Sequence, residues 1–374
     1  MKIRAAVLRE MGLPAPYARS RPLEVAELEL APPGPGELLV RVGAAGLCHS
    51  DLSVIDGSRP RVMPMALGHE AAGEVLEAGP QTSGFAPGDH VVLAFVPACG
   101  HCAECETGRG WLCGPGGAAN AAGTLLGGDR RLRDASGEAI NHHLGVSAFA
   151  DHIVVSAASA VRVDEDLPYE IAALFGCAVL TGVGAAVNSA AVGPGDSVAV
   201  FGLGGVGLAA LLGARMAGAQ TLVAVDVVAE KLALAAELGA THTVLAGPET
   251  VAEIRELTGG GVAKAIETVG NAQVLEQAYA ATARGGTTVT VGLPHPDRML
   301  TIPAVSLVAE ERTLRGSYLG SCLPATEVPR FVADYRAGRL PVDRLLTHTL
   351  GLEDLNEGFD RLARGDAVRQ AVVF

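Results

Sequence analysis

Four cysteines lie within fifteen positions of one another, at Cys99, Cys102, Cys105 and Cys113. The two-residue gaps between the first three let successive thiolates turn toward one ion, and a shell of four thiolates leaves no position for water. We therefore expect a structural zinc site that stabilises the fold. An iron–sulfur cluster is the competing interpretation, but the Cys-Pro run of bacterial ferredoxins is missing.

A second set of potential ligands is spread along the sequence: Cys48, His69 and Cys177. Taken singly, a cysteine is more often a small buried apolar residue and a histidine more often a core residue. Together, two thiolates and one imidazole form the open ligand set of a catalytic zinc, with a fourth position for water or substrate. Asp51 and Glu70 are candidates for supporting this set, and Asp51 could fix the imidazole tautomer.

A third signal is the segment 202–207, Gly-Leu-Gly-Gly-Val-Gly, which matches G-x-G-x-x-G. The match gains weight because it follows an apolar strand, opens an Ala/Leu-rich helix and precedes Asp226, 19 residues after Gly207. Such a turn binds a pyrophosphate at the helix N-terminus. The Asp226 carboxylate would bind the adenosine ribose and repel a 2′-phosphate, which favours NAD over NADP, and Lys231 can reach the same ribose.

The elements that must position these residues change in character along the chain. Residues 1 to about 100 contain short β-branched runs broken by Gly and Pro, which is typical of a β-rich domain. From about 180 onward, apolar strands alternate with helices, which predicts a doubly wound parallel sheet and an α/β fold. After about 317 this alternation stops, with a helix at 327–337 and a last strand at 368–374. Residues 114–145, rich in Gly, Ala and Asn, are expected to form a long surface excursion without regular elements.

Composition excludes several classes of protein. The chain has 374 residues and a formal net charge of −13, so two domains are expected and nucleic acid is not an expected partner. We find no signal peptide and no run of about 18 apolar residues, so we expect no membrane association and a cytoplasmic location. Seven cysteines in such a chain suit metal binding better than disulfides.

The chain resembles the zinc-containing medium-chain dehydrogenase/reductase family, and most closely its longer-chain alcohol dehydrogenases. The resemblance covers essentially the whole length, and its matching stretches are 46–51, 68–73, 99–113, 175–184, 201–207, 226–231 and 356–360. It implies a GroES-like catalytic domain over 1–178 with a zinc lobe at about 96–115, a Rossmann NAD-binding domain over 179–317, and a return to the catalytic domain over 318–374. It also implies two zinc ions per subunit and a homodimer, with a tetramer as an alternative.

The resemblance assigns roles to further residues. Ser50 would take the substrate hydroxyl proton, beside the metal ligands Cys48, His69 and Cys177. The residues expected to bind the cofactor are His49, Gly202, Gly204, Gly205, Val206, Gly207, Asp226, Lys231, Val269, Leu293 and Arg369. The residues expected to line the substrate pocket are Phe95, Leu144 and Arg59. Many relatives end the proton relay at a histidine five residues after the first cysteine ligand, and here Ser53 occupies that position.

The expected function is reversible, NAD-dependent oxidation of a primary alcohol with a hydrophobic or aromatic tail. The Lewis acidity of zinc would lower the pKa of the alcohol, and nicotinamide would accept the hydride. Two alternatives stay open at this point. One is an S-(hydroxymethyl)glutathione dehydrogenase on the same scaffold. The other is a zinc-free or non-catalytic relative, against which the presence of all three catalytic-zinc ligands argues.

Overall fold

The computed structural model describes all 374 residues and divides them into two units. Unit 1 contains Met1–Cys177, Leu323–Val332 and Leu346–Phe374, and unit 2 contains Ala178–Cys322 and Ala333–Leu345. Unit 2 thus extends beyond the expected boundary at residue 317 to Cys322. It also includes residues 333–345, which were expected in the catalytic domain. Packing explains both differences, because the Cys322 thiol donates a 3.4 Å hydrogen bond to the Leu180 carbonyl and Arg344 forms a 2.6 Å ion pair with Glu237.

The regular elements follow in chain order. The strands are β1 (Lys2–Leu8), β2 (Leu23–Leu30), β3 (Glu37–Leu47), β4 (Met65–Ala66), β5 (Ala71–Ala78), β6 (His90–Leu93), β7 (Leu132–Arg133), β8 (Ala139–His142), β9 (His152–Ser156), β10 (Ala160–Val163), β11 (Ser197–Phe201), β12 (Thr221–Asp226), β13 (His242–Leu245), β14 (Val262–Glu267), β15 (Thr282–Thr290), β16 (Thr313–Gly316), β17 (Leu346–Leu350) and β18 (Arg369–Val373). The α-helices are α1 (Tyr17–Ser20), α2 (His49–Ile55), α3 (Ala103–Glu106), α4 (Gly114–Ala122), α5 (Tyr169–Ala172), α6 (Ala178–Gly184), α7 (Gly205–Met216), α8 (Ala229–Glu237), α9 (Thr250–Thr258), α10 (Ala272–Ala281), α11 (Ala304–Ala309), α12 (Pro324–Arg336) and α13 (Leu355–Arg364). Short 3₁₀ turns lie at Gly110–Leu112, Ala157–Ser159, Ala173–Gly176, Leu319–Ser321, Val342–Leu345 and Leu352–Asp354, and one π turn lies at Ala185–Ser189.

Unit 1 is built from β-structure, as its short β-branched runs predict. One set of strands closes into a barrel in the order β1-β2-β7-β8-β4, and a seven-stranded sheet has the order β10-β6-β5-β3-β18-β17 with β9 paired to β3. Its apolar side chains form one contiguous core, in which the rings of Phe149 and Phe359 pack edge to face at 6.0 Å. The last strand of the chain, β18, pairs antiparallel with β3 and so returns the C-terminus to this unit.

The expectation of an irregular surface excursion over 114–145 is wrong. Helix α4 and strands β7 and β8 lie within this segment, and β8 pairs in parallel with β4. Ile140 is fully buried, and the Asn141 side chain donates to the carbonyl of Pro64 at 2.8 Å. The Gly/Ala-rich composition has weak periodicity, so only these long-range contacts show that the segment belongs to the barrel.

Unit 2 contains the doubly wound sheet predicted from the strand–helix alternation. Its six strands have the order β13-β12-β11-β14-β15-β16, and every adjacent pair is parallel. The central strands are continuous apolar runs because helices cover both faces of such a sheet. Nothing in the structure is a single helix of the length and apolarity needed to cross a membrane. Only the bent pair of consecutive short helices, Tyr169–Gly176 and Ala178–Ser189, reaches that length and composition together.

Candidate functional site

The structure brings Cys48, His69 and Cys177 together inside unit 1. Cys48 ends β3 and precedes α2, His69 stands between β4 and β5, and Cys177 follows the 3₁₀ turn Ala173–Gly176. All three side chains are buried, and their ligand atoms lie within 4.8 Å of one another. His69 Nε2 is buried without a hydrogen-bond partner. A zinc ion bound here would give this buried imidazole nitrogen a partner and would be coordinated by the two sulfurs as well.

The electrostatics of this cluster favour a thiolate. The thiol of Cys177 lies against Cys48 and holds the pKa of Cys48 well below its usual range, whereas the same contact raises the pKa of Cys177. The lowered pKa favours the thiolate form of Cys48. Zinc binds thiolates rather than thiols, so this charge suits the metal.

Asp51 lies behind the ligand His69 and is fully buried. Its Oδ2 is 3.0 Å from His69 Nδ1, so Nε2 is the imidazole nitrogen left for a metal. Burial alone would raise the pKa of Asp51, but His69 and the neighbouring His143 hold it well below its usual range. That Asp51 fixes the His69 tautomer stays a prediction, and the 3.0 Å contact places the two groups close enough for it. His143, 3.0 Å from Asp51 Oδ1, was missed by sequence reasoning, because no motif marks it.

Glu70 and Arg369 form a buried ion pair beside the cluster. The Arg369 guanidinium donates to Glu70 Oε1, and the two side chains are 4% and 0% exposed. A Cβ at Gly46 would lie 2.2 Å from Glu70 Oε1, so only glycine lets the carboxylate approach β3. Burial would lower the pKa of Arg369, but Glu70 raises it, so the guanidinium stays charged. The pyrophosphate contact expected of Arg369 stays a prediction, and the structure shows its guanidinium paired with Glu70.

Helix α2 carries the residues expected to move the proton. His49 opens the helix and is exposed, and Ser50 is half-buried one position later. Asp51 stands in the first turn of the same helix, where the helix dipole stabilises a carboxylate. The sequence Cys48-His49-Ser50-Asp51 thus places a metal ligand, two polar side chains and the supporting carboxylate within one turn.

One of the three expected pocket residues, Phe95, contacts a residue of the metal cluster. The ring of Phe95 meets the imidazole of His69 edge-on, with ring centroids 5.5 Å apart, and the Asn120 side chain fixes the Phe95 carbonyl through a 2.8 Å hydrogen bond. Leu144 is buried directly after His143. Arg59 is half-exposed in the segment between the first two ligands, and its backbone N–H donates to the Ser53 carbonyl.

The four clustered cysteines form a separate site in unit 1. Their ligand atoms all lie within 4.8 Å of one another, with Sγ–Sγ distances of 4.0 Å between Cys99 and Cys105 and 3.9 Å between Cys102 and Cys113. A tetrahedron with zinc–sulfur bonds of about 2.3 Å has edges of about 3.8 Å, so these distances fit a closed zinc site. The Cys105 backbone N–H lowers the pKa of Cys102 to about 6.

The glycine-rich turn lies in unit 2 between β11 and α7. Gly204 caps α7, and a Cβ at Gly207 would lie 1.8 Å from the Gly202 carbonyl oxygen, so the helix can approach the turn only with glycine there. Asp226 ends β12 and accepts hydrogen bonds from the backbone N–H groups of Leu203 (2.6 Å) and Val228 (2.9 Å). The carboxylate therefore braces the turn and retains lone pairs for a ribose.

A second turn packs against the first. Glu267 Oε1 accepts from the N–H groups of Val269 and Gly270 at 2.7 and 2.6 Å, and Thr290 Oγ1 donates to Oε2 at 2.6 Å. This buried carboxylate holds Val269 beside the glycine-rich turn. Val269 and Leu293 are each 53% exposed and so accessible to a ligand. Lys231 lies in the first turn of α8. Sequence reasoning missed Glu267, which has no motif of its own.

Comparisons with known proteins match both parts of the chain. A family described as alcohol dehydrogenase GroES-like domain matches residues 34–165, and one described as zinc-binding dehydrogenase matches 205–334. The NDMA-dependent alcohol dehydrogenase of Amycolatopsis methanolica is 39% identical, over 100% of this chain and 99% of its own length. Geraniol dehydrogenase of Castellaniella defragrans is 39% identical over 99% and 97%.

Two further similarities extend this set. S-(hydroxymethyl)glutathione dehydrogenase of Paracoccus denitrificans is 35% identical over the full length of both chains, with 100% of each covered. Among solved structures, benzyl alcohol dehydrogenase of Acinetobacter calcoaceticus superposes with a TM-score of 0.92 at 32% identity, covering 100% of this chain and 99% of its own. These similarities span both units of the chain.

Proposed function

Since the chain belongs to the zinc-containing medium-chain dehydrogenase family and is an oxidoreductase of its alcohol dehydrogenase type, we propose that it oxidises a primary alcohol with a hydrophobic or aromatic tail, reversibly and with NAD. The observation that carries this proposal is the buried set Cys48, His69 and Cys177 with its unpaired imidazole nitrogen. Relatives named for geraniol and benzyl alcohol support the class of substrate.

The metal centre supplies the chemistry of the first step. Cys48, His69 and Cys177 would hold a zinc ion, which as a Lewis acid lowers the pKa of an alcohol and polarises an aldehyde carbonyl. Ser50, which lies on α2, would accept the hydroxyl proton from the substrate. The apolar side chains of Phe95 and Leu144 would line the substrate pocket and favour a hydrophobic tail. Cys99, Cys102, Cys105 and Cys113 would hold the second, structural zinc.

A bound nicotinamide cofactor would supply the hydride acceptor. With NAD, the proposed reaction would convert alcohol and NAD⁺ to aldehyde, NADH and one proton. The glycine-rich turn would bind the pyrophosphate, with His49 and Arg369 as further pyrophosphate contacts. Gly205 and Val206, at the start of α7, contribute backbone N–H groups there. Asp226 and Lys231 would bind the ribose, and the charge of Asp226 favours NAD over NADP.

The proposed assembly is a homodimer in the cytoplasm. Strand β16 is the edge of the parallel sheet, and Val305 and Val308 on the neighbouring helix α11 are 72% and 81% exposed. An edge strand beside exposed apolar residues is suited to pairing with a second copy. Val308→Lys should then give a monomer by light scattering, and an unchanged mass would refute this interface. The cytoplasm is proposed because its reducing conditions keep metal-binding thiols free.

The decisive experiment measures initial rates of NADH formation against aliphatic, benzylic and terpenoid alcohols. NADP and NDMA are tested as alternative acceptors, and formaldehyde is tested with and without glutathione. Chelator-sensitive reduction of NAD by a hydrophobic alcohol supports the proposal. Activity only with formaldehyde and glutathione would replace it with S-(hydroxymethyl)glutathione oxidation, the function named for the Paracoccus denitrificans relative. Zinc analysis should find about two ions per chain, and about one would indicate the four-cysteine site alone.

A further inference from the structure

The carboxylate of Asp51 is enclosed by two histidines rather than one. Oδ2 lies 3.0 Å from His69 Nδ1 and Oδ1 lies 3.0 Å from His143 Nδ1, while the Gly68 N–H donates to Oδ1 at 3.1 Å. Asp51 is 0% exposed and both imidazoles are 1% exposed. An ionised carboxylate only accepts hydrogen bonds, so each histidine is expected to present its protonated Nδ1 to it.

His143 reaches Asp51 from a part of the chain that is far from both residues in sequence. It directly follows β8, and its backbone N–H donates a 2.8 Å hydrogen bond to Ser147 Oγ. The N–H groups of Val146 and Ser147 in turn bond its carbonyl oxygen. Leu144 and Ser147 adopt left-handed backbone conformations, with φ of 52° and 55°. This tight turn fixes the backbone from which the His143 side chain reaches Asp51.

The same imidazole also limits the motion of His69 directly. The rings of Phe95 and His143 both meet the His69 ring edge-on, with centroids 5.5 and 5.6 Å away and interplanar angles of 84° and 86°. His69 thus contacts one carboxylate at Nδ1 and two aromatic rings in edge-on geometry. Its Nε2 is left for the metal.

Of the two consecutive histidines, His143 contacts Asp51 and His142 does not. His142 points elsewhere, because its Nε2 accepts a 3.1 Å hydrogen bond from the Arg131 backbone N–H. Only the tertiary structure separates the two side chains, since the sequence presents them as an undivided pair.

We propose that His143 is a positioning residue of the metal centre: its Nδ1–H holds Asp51 in the orientation that aims His69 Nε2 at the metal. Without this donor, Oδ1 keeps only the Gly68 N–H, and the buried carboxylate can turn away from His69. Partners of this kind typically change metal affinity about 10- to 100-fold when removed. The inference rests on the proposed zinc site and adds a residue that holds it.

Three substitutions separate the hydrogen bond from packing. In His143→Asn, the side-chain amide nitrogen can occupy the position of Nδ1. His143→Leu has nearly the same size as Asn but no donor. His143→Gln carries an amide that corresponds to Nε2 instead. We expect His143→Asn to bind the catalytic zinc nearly as the wild type does, whereas His143→Leu and His143→Gln bind it about 10-fold or more weakly.

The readout is zinc competition with a graded chelator on the full-length protein, with Cys48→Ala identifying the signal of the four-cysteine zinc. That second zinc should release equally from every variant. Equal catalytic-zinc affinity in Asn, Leu and Gln variants, whether high or low, overturns the proposal. If the Leu variant fails to fold, the Asn and Gln comparison decides. If the wild type binds one zinc per chain, both this inference and the proposed function are refuted. If it binds two and all His143 variants bind the catalytic zinc with equal affinity, only the role of His143 is refuted.

Discussion

The hydroxyl of Ser53 donates a 2.7 Å hydrogen bond to the carbonyl oxygen of His49, one turn earlier in α2. Serine stands here where many members of the family have the histidine that ends the proton relay. A hydroxyl bonded to its own helix, and with no basic nitrogen, cannot accept a proton at neutral pH. In the proposed mechanism, the proton accepted by Ser50 would therefore leave by another route, for which ordered water or His49 are the candidates.

Restoring the imidazole should speed proton release. An exposed histidine has a pKa of about 6.5, so Ser53→His should supply a neutral base above that pH. We expect alcohol oxidation between pH 6.5 and 8 to rise by about two- to tenfold, below the full effect of a general base because water already serves. Ser53→Gln is the matched control. Equal rates in the two variants would show that proton release does not limit turnover.

Removing one catalytic-zinc ligand should separate chemistry from cofactor binding. Cys48→Ala should lose one zinc per chain and its alcohol oxidation, while its affinity for NADH stays close to that of the wild type, because the glycine-rich turn lies in unit 2. Metal analysis, initial rates and NADH fluorescence titration measure the three properties. Cys322→Ala is the control, since it removes another buried cysteine that belongs to neither ligand set. Retained turnover in Cys48→Ala would falsify the metal assignment.

Asp226 has one role that the structure shows and a second that the proposal assigns to it. It accepts hydrogen bonds from the N–H groups of Leu203 and Val228, and its charge would oppose a 2′-phosphate. Asp226→Asn keeps a carbonyl acceptor but loses the charge, so it should lower the NAD-over-NADP ratio of kcat/KM with a modest loss of NAD affinity. Asp226→Gly should lose both discrimination and affinity. Identical cofactor preference in wild type and Asp226→Asn would mean that charge does not select the cofactor.

His142 should make the fold sensitive to acid. Burial, together with Arg130 and Arg131, lowers the pKa of His142 to about 3, from an ordinary 6.5. Below pH 6.5 the His142 imidazole binds a proton in the unfolded chain but stays neutral in the folded chain. The free energy of unfolding is therefore highest above pH 6.5 and decreases as the pH falls toward 3. At pH 5 the loss is about 2 kcal/mol.

The test compares melting temperatures at pH 7 and pH 5. His142→Gln retains an acceptor for the Arg131 N–H but cannot be protonated, so its melting temperature should fall less between the two pH values than that of the wild type. His295→Gln replaces a half-exposed imidazole and should behave as the wild type does. Parallel curves for wild type and His142→Gln would rule out this linkage.

The sequence by itself determined the ligand types, the dinucleotide turn and the class of fold. Cys99 to Cys113 are close in sequence, so local spacing alone predicted their convergence, and the strand–turn–helix context of Gly202 to Gly207 is equally local. The parallel sheet of unit 2 follows from the same local alternation, because strand and helix periods are visible within a few residues.

Only the tertiary structure decided which distant side chains support these sites. Asp51 and His143 are separated by 92 positions, and Glu70 and Arg369 by 299, so no local period records either contact. The same holds for the barrel strands hidden in the Gly- and Ala-rich segment 114–145 and for the return of 333–345 to unit 2. Local propensity specifies elements, whereas a buried charge obtains its partner from whichever segment long-range packing brings beside it.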